Sequence, residues 1–354
     1  MKILLRADAS EQLGASRAMR VMVLGGELAR RGHDVTFASL KGSLNLLPLN
    51  HDDSAYSGIK KIELEEKDLN EISALKASAP KGAYDLAFVD GQHLTEKYEE
   101  ALTSISKSLA VLDDAPTRKH MAKMLIDPAF GRRPVEYKDL LPHDASILTG
   151  ARFAALRPEF LEMRPKSLAR RGKSKAAARE SKHIVVHFGL TDQHNLTCKI
   201  LDAIKQVDAP VETTVVISRV NQHKEEVEQA CKSLKQEGKM LVAHTDMASL
   251  LRDCDLVIGI PGNSAWERCC MGVPSFHVAV TSAHETINKN MAGIGAILDL
   301  GLHSTLTPDA VTKELNRHFT DELLLVTMSQ SAALLCDGNG AGRIVEHLEA
   351  HSGL

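Results

Sequence analysis

Short apolar runs, each closed by an acidic residue or a glycine, alternate along the chain with stretches whose apolar positions fall three and four apart. Residues 2–6 (KILLR) open the series and predict a short buried strand. From Ser16 to Arg31, Met19, Val23, Leu24 and Leu28 keep helical spacing, and Gly32 follows two arginines, the signature of a helix C-terminus. His33 to Ala38 is the next predicted strand. Strand, turn, helix and strand within 38 residues make one βαβ unit and imply a parallel sheet. Tyr84–Asp90, Leu109–Asp114 and Met124–Asp127 repeat the pattern, each an apolar run ending in a carboxylate.

A second series follows. His183–Phe188 predicts a strand running into Gly189, with a helix from about Asn195; Val211–Ser218 predicts a strand and Lys224–Gln236 a helix. Asp255–Ile260 predicts a strand leading through a glycine turn to a helix over Ala265–Met271. Between the two series, residues 164–182 (RPKSLARRGKSKAAARESK) set eight basic residues against one acid without apolar periodicity. Such a run reads as a phosphate or nucleic-acid patch or as a solvated linker; the absence of aromatic residues favours the linker. The expected fold class is therefore α/β: two Rossmann-like domains, 1–163 and 183–354, joined by a basic linker over 164–182, with a cleft between them and the last helix packing back on the first domain.

Composition narrows the function. The length of 354 residues suits two domains, and 25% charged and 44% hydrophobic residues are ordinary for a soluble globular chain. A net charge of −3 gives no general attraction to nucleic acid or anionic lipid, so any basic site must be local. No apolar run approaches the roughly 18–20 residues of a membrane helix, and Lys2, Arg6 and Asp8 leave no signal-peptide core. All six cysteines lie from Cys198 onward without CxxC spacing, which implies buried thiols in a reduced, cytoplasmic compartment.

Three turns are candidates for chemistry. LGASRAMR, residues 13–20, has the small-residue texture of a turn that presents backbone N–H groups to an anion, and carries Arg17, which cannot accept a proton at any working pH. Phe188-Gly189-Leu190-Thr191-Asp192 and Gly259-Ile260-Pro261-Gly262-Asn263-Ser264 follow strands in the second half, and the latter opens a helix whose N–H groups suit phosphate. Ser264 reads equally as a helix N-cap. Neither turn is GxGxxG or GxxxxGK[ST], which excludes a dinucleotide or P-loop assignment. The acidic strand ends Asp90, Asp113, Asp114 and Asp127 would lie on a ligand-facing rim, although Asp at such a place also caps the next turn. His284-Glu285 lacks the second histidine of HExxH, no GxSxG occurs, and the histidines show no metal spacing, so no metal or cofactor is expected. His120, His187 and His194 read as structural.

The run Gly262–Ser275 (GNSAWERCCMGVPS) resembles the GGSTxWERCxLGxPS signature of the pseudaminic-acid-pathway UDP-sugar hydrolases, often called PseG, and their spore-coat-polysaccharide relatives. The resemblance extends along nearly the whole chain: Leu5–Ser10 is similar to FRxDAS, Gly14–Arg20 falls where the family has GxGHxMR, and Val111–Asp114 resembles its IDD. Phe188–Asp192 with Asn195–Thr197 resembles FGGSDxxNLT, and Asp337–Ala341 with Arg343 resembles the terminal DGxGAxR. The resemblance implies a glycosyltransferase-B arrangement and metal-free hydrolysis of UDP-2,4-diacetamido-2,4,6-trideoxy-β-L-altrose at the anomeric carbon, with release of UDP. It implies that Gly262, Asn263 and Ser264 hold the diphosphate, that Glu267 accepts from the ribose hydroxyls, and that Gly14 and Ser16 line the opposite wall. Gly189, Thr191 and His284 are further candidate contacts, Arg20 a ligand contact or a buttress, and other glycan-biosynthesis enzymes candidate partners.

Departures fall on the reaction side. Where the family has the histidine that activates water, this chain has Ser16-Arg17; the loss of a general base costs about 10²–10⁴-fold. Gly91-Gln92 stands for the family's His-Tyr and Ala283-His284 for its Asn-Gln, and Leu190 and Gln193 break the second turn. Hydrolysis then needs another base, with Asp8, Asp90, Asp114 or His284 as candidates. An arginine that steadies a leaving UDP also suits a nucleotide-sugar glycosyltransferase, or a catalytically silent nucleotide-sugar binder.

Overall fold

A computed structural model describes residues 1–49, 54–65, 71–78, 83–91, 93–171, 181–236 and 238–351; Gln92 and the 172–180 part of the basic stretch lie outside them. The chain divides into two compact units, one formed by 1–157 with 339–354 and the other by 158–338.

In the first unit the elements run β1 (Lys2–Ala7), α1 (Ser16–Arg30), β2 (Asp34–Leu40), β3 (Lys60–Leu64), α2 (Glu71–Ser78), β4 (Leu86–Asp90), α3 (Glu96–Leu102), β5 (Leu109–Leu112), β6 (Met124–Asp127) and β7 (Ser146–Thr149). Among the described residues the strands form one parallel sheet in the order β3-β2-β1-β4-β5-β6-β7. Strand order reverses between β1 and β4, whose ends meet in register as Ala7 beside Asp90. Crevices for ligands open beyond the carboxyl ends of strands at such a switch point. The two-residue period of a strand divides the core. Ile3, Leu5 and Phe37 pack with Met19, Val23 and Leu24 of α1, whereas Leu4, Ala87 and Val89 face Tyr98 and Leu102 of α3.

The second unit begins with α4 (Pro158–Arg171) and β8 (Lys182–His187), and continues through α5 (Leu196–Ile204), β9 (Val211–Ile217), α6 (Lys224–Lys232), β10 (Lys239–Val242), α7 (Met247–Asp253), β11 (Leu256–Gly259), α8 (Asn263–Cys270), β12 (Ser275–Ala279), α9 (Ser282–Gly293), β13 (Leu298–Leu302), α10 (Pro308–His318) and α11 (Glu322–Leu335). Its parallel sheet runs β10-β9-β8-β11-β12-β13, with the switch point between β8 and β11. The last helix, α12 (Gly340–Ala350), belongs to the first unit, where Ile344 and Val345 join the core beside α1. Its opening residue touches the backbone so closely that a Cβ on Gly340 would sit 2.1 Å from the Ala154 carbonyl oxygen.

The basic stretch is not a solvated linker over its first half. Arg164 lies midway along helix α4 and Arg170 and Arg171 end it, and their guanidinium groups donate to backbone oxygens at the C-termini of three other helices. Arg164 donates to Ala333, Cys336 and Cys270, and Arg171 to Leu251, Cys254 and Met271. Arg170 reaches the Cys254 carbonyl and Asp255. These charges meet the negative ends of α7, α8 and α11, where the last carbonyls have no helical partner. A run of arginines without apolar period reads as solvent-facing because its acceptors are backbone atoms 80 to 172 residues away.

Candidate functional site

Each unit places a cluster of polar residues beyond the carboxyl edge of its sheet. In the first unit, the turn after β1 closes on itself: Gly14 N–H donates to the Ser10 carbonyl (2.8 Å) and Leu13 N–H to Ser10 Oγ (3.0 Å). Gly14 takes φ 74°, a left-handed conformation that glycine adopts without a Cβ clash. Helix α1 then starts at Ser16 with no side-chain cap on its first N–H groups.

Two residues into that helix, Arg17 keeps about a quarter of its side chain exposed and stands 3.6 Å from Asp90. One turn further, Arg20 is buried and bridges two carboxylates. Its Nε and Nη2 donate to Asp90 at 2.5 and 3.0 Å, and its Nη1 and Nη2 donate to Asp114 at 2.6 and 3.1 Å. Burial pushes the Asp90 carboxyl above its ordinary range, against the pull of Arg20. Asp90 and Asp114 are thus both engaged by a guanidinium.

Asp8 is equally occupied. Its Oδ1 accepts from Arg6 Nη1 (2.5 Å) and the Leu40 N–H (2.7 Å), while its Oδ2 faces His93 Nε2 at 2.9 Å. Against the cost of burial, His93 and Arg6 hold this carboxyl well below the usual carboxylate range. Arg6 in turn donates to both oxygens of Glu71, whose Oε1 also accepts from Tyr98.

His93 was not singled out by sequence, since Gly91-Gln92-His93 carries no motif spacing. The structural signal is Gly91: a Cβ there would meet the imidazole Cε1 at 2.9 Å. The imidazole leaves 28% of its side chain exposed, whereas His120, held between Glu99 and Asp113, is fully enclosed and structural.

In the second unit, the turn after β11 passes through Gly262 at φ 134°, a conformation open to glycine, and delivers α8 without a side-chain cap. Gly262 is the residue before the helix, so Ser264 is not an N-cap; its Oγ accepts from Arg268 Nη1 at 3.2 Å. Asn263 begins the helix with a buried Oδ1 that has no hydrogen-bond partner. Glu267 lies one turn along, partly exposed. Arg268 is buried beneath the turn. Its Nη2 donates to the Ile260 carbonyl (2.8 Å) and to His277 Nε2 (2.8 Å), and its Nε has no partner.

Across the switch point, Gly189 takes φ 84° after β8. Asp192 accepts from the Leu196 and Thr197 N–H groups at 2.8 and 2.9 Å, so the Asp and Thr of this motif hold the start of α5, with Thr191 just before them. His284 lies in the first turn of α9, where its Nδ1 accepts from Val280 N–H at 3.4 Å. His187 bonds the Val216 carbonyl and His194 stacks on His303, both structural contacts. Among the described residues no group of three or more His, Cys, Asp or Glu is arranged to hold a metal ion, and no helix is long and apolar enough to cross a membrane.

No family model matches the chain. It is similar to the uncharacterized protein MJ1062 of Methanocaldococcus jannaschii, 24% identical over 280 residues that make up 77% of this chain and 54% of that protein. The spore coat polysaccharide biosynthesis protein SpsG of Bacillus subtilis is 27% identical over 48% of this chain and 51% of its own length. The chain thus spans about half the length of each of these two relatives. The UDP-2,4-diacetamido-2,4,6-trideoxy-beta-L-altropyranose hydrolase of Campylobacter jejuni is 22% identical over 73% of this chain and 84% of that protein. These distant relatives support a group around SpsG and that hydrolase and single out no member of it.

The fold is shared with MurG of Acinetobacter baumannii (TM-score 0.66, 16% identity, 99% of each chain) and with UGT89C1 of Arabidopsis thaliana in complex with UDP (TM-score 0.67, 14% identity, 100% of each chain). Two parallel-sheet α/β units of the glycosyltransferase-B kind are therefore the architecture of this protein.

Proposed function

We propose that the protein is a UDP-sugar hydrolase of the pseudaminic type, cleaving the anomeric C–O bond to release UDP and a 2,4-diacetamido-2,4,6-trideoxy hexose. The observation that carries this reading is the start of α8, where the helix follows Gly262 with no side-chain cap on its first N–H groups. It coincides with the sequence run that resembles the hydrolases. In this reading Gly262, Asn263 and Ser264 take the diphosphate on backbone and side-chain donors, and Glu267 takes the ribose hydroxyls. Gly189, Thr191 and His284 flank the nucleotide sugar, and Gly14 and Ser16 approach its sugar side. Arg17, one face of which is open to solvent, offsets the charge that develops on the departing UDP. In this reading Arg20 acts as a buttress that fixes Asp90 and Asp114.

Water activation falls to the pair Asp8–His93. Asp90 is held by Arg20, while Asp8 holds the partly exposed imidazole of His93. In this reading Asp8 orients His93 through Nε2, and the buried Nδ1, which has no hydrogen-bond partner, is the nitrogen left to take the water's proton.

Arg17 also favours a second reading. An arginine in place of a base suits a nucleotide-sugar glycosyltransferase, whose acceptor brings the nucleophile. The test is NMR of the purified protein with UDP-2,4-diacetamido-2,4,6-trideoxy-β-L-altrose, run beside Arg17→His and His93→Gln. Hydrolysis by the wild type that falls at least about 10²-fold in His93→Gln supports the proposal. Activity confined to Arg17→His, or UDP binding without turnover in every variant, would move the transferase and binder readings ahead.

A further inference from the structure

Arg268 is among the largest fully buried side chains in the molecule, and Glu267, its neighbour in the helix, acts on its charge without pairing with it. Among the described residues it makes no ion pair. Its Nη1 donates to Ser264 Oγ, its Nη2 to the Ile260 carbonyl and His277 Nε2, and its Nε has no acceptor. Burial pulls the guanidinium down to about 10, which still leaves it charged at neutral pH.

Two of the other buried arginines contrast with it. Arg6 has Asp8 and Glu71, and Arg20 has Asp90 and Asp114. A buried charge without a counter-charge is costly enough that folded chains retain one only where something compensates it.

The partners show where the compensation lies. Toward the interior, the hydrogen bonds form one polarised chain. Arg268 donates to His277 Nε2, His277 Nδ1 donates to Asn288 Oδ1 (3.1 Å), and Asn288 Nδ2 donates to Asp299 (2.9 Å). The cation thus fixes His277 as the neutral Nδ1–H tautomer, and the nearest acid on this path stands three hydrogen bonds away. Toward the surface, the guanidinium grips both ends of the turn 260–264, the same turn that ends in the orphan Asn263 Oδ1 and the uncapped α8. Gly259 leaves room for it, since a Cβ there would sit 2.5 Å from the His187 carbonyl oxygen and 3.4 Å from Arg268 Nη1.

We infer that Arg268 is a built-in counter-charge for a diphosphate seated on the outer side of the turn 260–264, and that it both shapes the turn and supplies positive potential through it. This rests on the nucleotide-sugar reading of that turn. It makes Arg268 a positioning residue for the charged part of the ligand, with no role in recognising the nucleoside. The helix dipole and the guanidinium act on the same anion from two sides, and the low dielectric between them strengthens the attraction.

The test compares wild type, Arg268→Met and Arg268→Lys by calorimetric titration with UDP and with inorganic pyrophosphate, and by saturation-transfer NMR with uridine. Expected is a loss of at least about tenfold in affinity for UDP and pyrophosphate in Arg268→Met, with uridine binding unchanged. Arg268→Lys should fall between the two, because it keeps the charge and loses the fork that holds the turn. Equal losses for UDP and uridine in Arg268→Met would mark Arg268 as a scaffold residue and overturn the inference while leaving the nucleotide site standing. A wild type that binds neither UDP nor pyrophosphate would overturn the nucleotide reading, and this inference with it. If Arg268→Met does not fold, Arg268→Lys decides by the same ratio: a UDP-to-uridine preference lowered at least about threefold supports the inference, and an unchanged preference with both affinities reduced refutes it.

Discussion

Replacing Arg20 by methionine tests the account of the first unit at its most charged point. Methionine fills much of the arginine's volume but leaves Asp90, almost wholly buried, and Asp114, 37% exposed, without the guanidinium that bridges them. Removing one partner of a buried ion pair costs about 3–5 kcal/mol. The Asp114 share is smaller, because that carboxylate can rehydrate. The expected loss is therefore about 3 kcal/mol, which with a urea slope near 2 kcal/mol/M lowers the midpoint by about 1.5 M.

The protein carries its own reporters for this measurement. All four tyrosines (Tyr56, Tyr84, Tyr98, Tyr137) lie in the first unit and the single tryptophan, Trp266, lies in the second. Urea unfolding followed by second-derivative tyrosine absorbance should show the shift, with Trp266 fluorescence recorded alongside. The deficit should also depend on pH. Burial already holds Asp90 above its ordinary value, and without Arg20 it rises further. The folded variant then binds more protons than the unfolded chain from roughly pH 4 up to that raised pKa, so its stability falls as pH rises through the window. The gap to wild type should widen between pH 4.5 and 7 and narrow on acidification. A loss below about 1 kcal/mol at pH 7, or a gap independent of pH, would refute the argument that Asp90 and Asp114 depend on Arg20.

Further outcomes follow from other contacts. Asp192→Ala should cost about 1–2 kcal/mol by Trp266-detected unfolding and Asp192→Asn less, because Asp192 accepts two N–H groups at the start of α5. Gly340→Ala should detach α12, since its Cβ would lie 2.1 Å from the Ala154 oxygen; limited proteolysis should release the C-terminal peptide faster than from wild type. Cys231, Cys254 and Cys270 are pushed up by burial to about 11, and Cys269 to about 12, so the native protein at pH 8 should leave all four unmodified by a thiol reagent that labels them in urea.

Eight of the thirteen strands among the described residues were legible, because buried parallel strands are near-continuous apolar runs, whereas β3, β7, β10, β12 and β13 were not predicted. Ends were less legible. The helix expected to Gln236 stops at Lys232, and β5 stops at Leu112, leaving Asp113 and Asp114 beyond it. The anion turns were visible as small residues between a strand and a helix.

Side-chain pairing was not visible. Arg20 meets Asp90 and Asp114 across 70 and 94 residues, and Asp8 meets His93 across 85, distances that local spacing cannot encode. Arg268 sits in a helix between Glu267 and two cysteines and reads as an ordinary polar position. Only the layer of β12 and α9 beneath it shows that it is enclosed.

The central claim is that water attacks the sugar and UDP leaves intact, and ³¹P NMR of the reaction in H₂¹⁸O tests it most directly. The account predicts release of UDP from UDP-2,4-diacetamido-2,4,6-trideoxy-β-L-altrose with no ¹⁸O isotope shift on either phosphorus, because the broken bond is the anomeric C–O bond. Label on phosphorus would place the attack on the diphosphate, and no release of UDP from a bound substrate would remove hydrolysis altogether.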